Sequence, residues 1–242
     1  MQSNTDIRSK IENLILGNPI EEVIDEHVVF ANIDSNISAI WSLLFMAGYL
    51  KSTSSSSFGD GTIACTMQIP NNEIKGFYKR LVKECFAVNN SISWYNNFIT
   101  DLTSGNIDSF IKKLERIMLN IVSTKDTENP EREKFYHGLM LGLIVGLEDS
   151  YEIRSNKESG LGFYDLALIP KDPKPHKIGI VIELKKANTD KLLPAKADEA
   201  FAQINTKKYD TELRARGIKK IVKIGIAFSA KTLQAKHEFL EL

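Results

Sequence analysis

Three residues in the C-terminal half have the types and spacing to do chemistry: Asp165 in Gly-Phe-Tyr-Asp-Leu, and Glu183 and Lys185 in Ile-Glu-Leu-Lys. They lie in two runs, 163–169 and 177–185, with the apolar, β-branched content of buried strands. The proline-rich connection 170–176 cannot continue a ladder and must turn. An antiparallel hairpin centred near Lys174 sets Asp165 opposite Glu183. Strand alternation then sends Glu183 and Lys185 to one face and Ile182 and Leu184 to the other. Two carboxylates and an amine meet on one patch.

Carboxylates a strand spacing apart repel unless a cation lies between them, and their hard oxygens suit Mg²⁺ or Mn²⁺ rather than Zn²⁺. Such an ion polarises a phosphate oxygen and lowers the pKa of its water. Lys185 beside it is placed to orient or deprotonate that water, or to stabilise developing charge. This is the minimal equipment for metal-assisted phosphodiester hydrolysis. A salt bridge at a sheet edge uses the same residue types. Burial counts against it, because both runs are apolar on both faces and unpaired charge inside such a sheet is costly.

The elements that must position these residues follow in order. The polar, breaker-rich stretch 123–130 predicts a domain boundary, dividing a mainly helical region, 1–124, from an α/β region, 125–242. The second region reads as a mixed central sheet flanked by helices: an entry helix over 131–147, a strand at 151–155, a glycine-bearing turn at 158–162, the Asp165 and Glu183 strands, a helix ending near Lys208, a strand over 218–229 and an edge strand in the tail. Glu133 and His137 share a face of the entry helix, and His137 is expected to hydrogen-bond the chain.

In the first region, apolar spacing predicts helices over 7–16, ending at Gly17, and 34–48, with Trp41 in the core and caps among Asp34, Ser35 and Asn36. Residues 51–61, with four consecutive serines, read as a loop, and 63–69 as a short strand. Further helices are expected after Pro70, capped by Asn71 or Asn72, and over 93–102 and 107–122.

Asp165 followed by Glu183-Leu-Lys185 resembles the signature of the PD-(D/E)XK nuclease superfamily. The stretches 133–142, 155–162 and 200–209 are similar to the branch found C-terminal to bacterial AAA-ATPase-like domains, as are 39–51 and 69–74 to the segment that joins the two. The resemblance implies a restriction-endonuclease-like core and a Mg²⁺- or Mn²⁺-dependent deoxyribonuclease. It implies Glu133 (with Glu131 as the alternative), Asp165, Glu183 and Leu184 about the metal, and Asp165, Glu183 and Lys185 as the catalytic set. Gln203, Tyr209, Lys186, Lys207 and Glu158 are implied in nucleic-acid contact or in support of the centre. Where the family commonly has arginines near the turn, this chain has Lys157 and Phe163. No Gly-x-x-x-x-Gly-Lys-Ser/Thr phosphate loop occurs, so the ATPase motif itself is missing.

The 242 residues carry no formal net charge, so bulk charge selects no partner. From Lys171 to Lys236, however, sixteen Lys/Arg stand against seven Asp/Glu, which suits a phosphate-tracking surface. Cys65 and Cys85, without Cys-x-x-Cys or zinc-spaced histidines, imply a reducing cytoplasm, and no run is apolar and long enough for a membrane span. A binding module that keeps the fold with weak or absent catalysis is the alternative to a nuclease. A protein-interaction role for the N-terminal helices, towards an ATPase-like or other partner, is the third reading.

Overall fold

The computed structural model describes residues 7, 10–11, 13–25, 28, 37–57, 63–86, 92–121, 132–172 and 177–241, with the backbone alone at 37, 82–83, 85–86, 121, 132–134, 156–159 and 163. The chain forms two compact units, Met1–Val82 and Lys83–Leu242. The boundary stretch 123–130 and the cap candidates Asp34, Ser35 and Asn36 lie outside the described residues.

The first unit opens on a helical segment that includes Asn13–Ile15 and closes at Gly17, where φ is 89°. Gly17 N–H donates to Leu14 O and Asn18 N–H to Asn13 O, the bonding of a glycine-stopped helix. Strands β1 (Ile20–Ile24), β2 (Lys51–Ser57) and β3 (Ile63–Gln68) form an antiparallel sheet in the order β1-β3-β2, and helix α1 spans Ile37–Met46. Trp41 is fully buried with Leu14, Cys65 and Met67. Helix α2 (Asn72–Phe86) is capped by Asn71, whose Oδ1 accepts Ile74 N–H at 2.9 Å.

The serine run corrects an expectation. Residues 51–57, read from sequence as loop, form strand β2 with every residue exposed. Serine has little strand preference of its own, but β3 pairs with six of the seven residues, the register shifting about Thr53. Thr53 Oγ1 adds a bond to Thr66 O at 3.2 Å.

The second unit holds α3 (Ile92–Ser104), α4 (Ile107–Ile121), α5 (Arg132–Ile144), β4 (Tyr151–Ser159), β5 (Gly162–Pro170), β6 (Ile178–Lys186), α6 (Leu193–Lys207), α7 (Thr211–Ala215), β7 (Lys220–Ser229) and β8 (Thr232–Glu241). Its sheet runs β4-β5-β6-β7-β8, antiparallel except for the parallel pair β6–β7, which α6 joins as the crossover. This mixed α/β arrangement is consistent with a PD-(D/E)XK core. The tail supplies the expected edge strand, while α7 carried no expectation. Helices α3 and α4 pack in this unit, with Tyr95 Oη donating to Leu143 O at 2.6 Å.

Each face of the sheet carries one helix that matters to the site. On one face the Tyr136 ring of α5 stacks on Phe228 at 4.6 Å, and its hydroxyl donates to Ala230 O at 3.0 Å. On the other, α6 presents Ala197, Ala200, Phe201 and Ile204. Its backbone comes so close to β7 that a Cβ on Gly225 would sit 2.4 Å from Phe201 N. Ordinary side-chain volume at 225 would lift the helix from the sheet. Among the described residues no helix is long and apolar enough to cross a membrane.

Replacing two glycines by alanine should therefore give opposite signs. Gly225→Ala meets backbone and should lower stability by about 1–3 kcal/mol. Gly76→Ala, in α2 with nothing within 4 Å, should raise that of its own helix by about 0.5–1 kcal/mol. Urea melts of the two variants read both; a neutral Gly225→Ala would contradict the close approach of α6.

Candidate active site

The site begins where a ladder ends. Strands β5 and β6 pair at Leu168↔Ile180, Ala167↔Val181 and Leu166↔Ile182, a register whose next step is Asp165 against Glu183. The ladder stops there. Leu184 N–H donates instead to the Asp165 carboxylate, 2.7 Å from Oδ2. A side chain replaces the main-chain acceptor, which satisfies the strand and fixes the carboxylate beside β6.

Glu183 is 2 % exposed, on the α6 face of a strand that is apolar from Ile178 to Ile182. Lys185 Nζ donates to its Oε1 at 3.1 Å and Gln203 Nε2 to the same oxygen at 2.5 Å. Oε2 is buried and has no hydrogen-bond partner among the described residues. Burial, and then the neighbouring Asp165 charge, push the Glu183 carboxyl up to about 7, against the opposing pull of Lys185.

Gln203 is held in turn. Its Nε2 also donates to Tyr209 Oη at 3.0 Å, and Tyr209 is buried. The ring reaches back because Lys208 takes a left-handed conformation, φ 54°, after α6, letting Tyr209 N–H bond Ile204 O. Next to it lies a partly buried ionic cluster, with Lys223 and Asp210 buried and Arg214 exposed. Lys223 Nζ is 2.9 Å from Asn205 Oδ1 and 3.4 Å from Asp210 Oδ1, while Arg214 Nε donates to Asp210 Oδ2 at 2.5 Å. Burial works against the Asp210 charge, yet Arg214 and Lys223 hold its carboxyl below the usual range.

On the α5 side, His137 Nε2 lies 3.2 Å from Asp165 O and 2.9 Å from Ser155 Oγ. A carbonyl only accepts, so the bond to Asp165 requires Nε2 to carry hydrogen. His137 thus bonds the chain rather than joining the carboxylates. The β4–β5 turn seats on the end of α6: Leu161 N–H donates to Lys207 O at 2.7 Å. Gly160, at φ 63°, brings its Cα so close that a Cβ would lie 2.3 Å from that same oxygen.

The structure therefore gathers Asp165, Glu183, Lys185, the Leu184 amide, Gln203 and Tyr209. Lys186 is half-buried at the end of β6, and Lys207 is exposed in the last turn of α6. Glu133 lies in α5 and Glu158 in β4, their side chains outside the described residues, as is all of Glu131. Sequence reasoning missed Ser155, whose type carries no signal, and the Lys223–Asp210 pair. A lone lysine in Ile-Val-Lys-Ile-Gly-Ile was the one available clue to the latter.

Among the described residues no group of three His, Cys, Asp or Glu side chains is gathered. The two carboxylates, with Glu183 Oε2 buried and unpartnered, nonetheless fit a divalent cation that prefers oxygen.

A proton competes for the same oxygen. Because the folded-state pKa is raised from 4.5 to about 7, this group's stabilisation is complete below pH 4.5 and is lost as pH rises through 7. In EDTA, the stability of the native chain relative to Glu183→Gln should therefore fall by on the order of 2 kcal/mol between pH 5 and 8. A pH-independent difference in urea melts would show that the proton is not held there.

Residues 131–238 match the family model of the PD-(D/E)XK nuclease superfamily. No curated protein matches the chain. The matched stretch spans α5 to β8 and includes Asp165, Glu183, Lys185, Gln203 and Tyr209. Nucleases of that superfamily generally use divalent metals on a nucleic-acid substrate, and residues 131–238 are similar to them in sequence and in arrangement of strands and helices.

Proposed function

We propose that the chain is a metal-dependent nuclease that hydrolyses phosphodiester bonds, with DNA as its polymer and Mg²⁺ or Mn²⁺ as its ion. The observation that carries this reading is Glu183 Oε2, buried without a hydrogen-bond partner among the described residues, beside the Asp165 carboxylate. Glu183, Asp165, the Leu184 main chain and Glu133 from α5 would hold the ion. The chemistry supplied by a bound divalent ion is Lewis acidity towards a phosphoryl oxygen and a lowered pKa for its water.

The chain's own residues have separate tasks. Gln203 and Lys185 take up Glu183 Oε1, leaving Oε2 turned to the metal position. Lys185, the charged donor nearest the carboxylates, orients the attacking water and stabilises charge on the phosphoryl oxygens. Tyr209 keeps the Gln203 amide from rotating away. Lys186, Lys207 and Glu158 contact nucleic acid or brace the loops about it. The likeness to the branch that follows ATPase-like domains makes residues 1–124 a docking or targeting element for such a partner in a bacterial cytoplasm.

Nicking of supercoiled plasmid and of a labelled single strand, with Mg²⁺, Mn²⁺ or EDTA, tests the assignment. Cleavage should need the ion and fall at least about 100-fold in Glu183→Ala and Lys185→Ala. Gln203→Ala should lose about 10–100-fold with a weakened metal dependence. Cutting that persists in EDTA or survives Lys185→Ala would overturn the assigned roles. Salt-sensitive retention of DNA with no turnover would select a binding module instead.

A further inference from the structure

Leu161 stands at the tip of the β4–β5 turn, between Gly160 and Gly162, and is 66 % exposed, the most of any large apolar side chain described. Single exposed leucines are ordinary on protein surfaces, so exposure alone says nothing. Three further observations set this one apart.

It is fixed, because its N–H is bonded to Lys207 O at 2.7 Å and Gly160 is packed on the carbonyls of Lys207 and Lys208. It is flanked by cations, since Lys207 and Lys208 are both exposed and neither pairs with a carboxylate among the described residues. And it is tied to the carboxylates. A Cβ on Gly162 would lie 3.3 Å from Tyr209 Oη, which receives Gln203 Nε2, which also binds Glu183. Asp165 is four steps along the chain from Leu161, so their Cα atoms lie within roughly 14 Å.

Resting on the nuclease reading, we propose that Leu161 is an apolar wedge that enters the base stack of the substrate within about four base steps of the cleaved bond, a base step being ~3.4 Å along a strand. Lys207 and Lys208 hold the phosphates on either side of the opened step. The substrate class that follows is nucleic acid whose bases are unpaired or easily unstacked there, such as a junction, a fork or a mismatch. A side chain carried on a fixed backbone suits this task because a turn that folds away on contact does no unstacking.

The test uses the full chain in EDTA, so that no cleavage is needed, with forked DNA carrying 2-aminopurine at successive positions. Binding should raise fluorescence several-fold at one position, and Leu161→Ala should abolish the rise while reducing retention of the DNA by less than tenfold. Lys207→Ala and Lys208→Ala should each lower the salt dependence of binding by about one unit and keep the fluorescence rise. The wedge is overturned by a rise that survives Leu161→Ala, or by DNA that binds without unstacking. A rise lost in Leu161→Ala by a chain that does not cut with Mg²⁺ or Mn²⁺ would uphold the wedge and defeat the nuclease reading. Cutting that proceeds without any rise would do the reverse.

Discussion

A carboxylate taken out of water on the inner face of a sheet is the constraint about which the second unit is arranged. Glu183 is almost wholly buried, with a second carboxylate beside it and, among the described residues, one lysine, Lys185, paired with it. Desolvating charge costs several kcal/mol unless it is paired and hydrogen-bonded, and one ammonium does not balance two carboxylates. The surrounding architecture answers that imbalance in part. Gly225 admits the backbone of α6, which brings Gln203 to Oε1. The end of the β5–β6 ladder turns a main-chain N–H towards Asp165. What remains is an oxygen that a proton or a cation must satisfy.

Much of this was legible in the sequence. The apolar runs about Asp165 and Glu183 and the prolines between them fixed a hairpin, and its symmetry gave the register to within the resolution of a ladder. The alternation of Glu183 and Lys185 placed both on one face. The ladder's end was not legible, because there a side chain, the Asp165 carboxylate, takes the Leu184 N–H in place of a main-chain acceptor. Nor was His137–Ser155, where a serine eighteen residues away gains its role from strand geometry. The serine strand β2 was misread for the opposite reason: its own composition argues against a strand, and its partner overrides it.

Charges in this unit divide into two kinds by what surrounds them. Arg154, Glu152, Glu212 and Arg216 close on one another, tying β4 to α7 and its following turn. Lys223, Asp210 and Arg214 do the same beneath Tyr209. Such groups are spent on architecture and have little left for a ligand. Lys207 and Lys208, one turn away from that second cluster, carry no such partner among the described residues, so the basic excess noted in the sequence is less a uniform field than a few cations left available.

The parallel pairing of β6 with β7 joins Ile178 to Lys220 across the whole of α6 and α7, whereas β4, β5 and β6 follow one another as neighbours. Local pairings form early and long closures late. On that ordering Asp165 and Glu183 would meet first in a hydrated meander, and Glu183 would lose its water when α6 and β7 dock. The electrostatic penalty of the centre would then arrive with the last step rather than the early ones. A group whose cost appears after the rate-limiting barrier acts on escape from the native state. The lifetime of the folded chain, rather than the speed of its folding, is then the quantity that an ion at these carboxylates would extend.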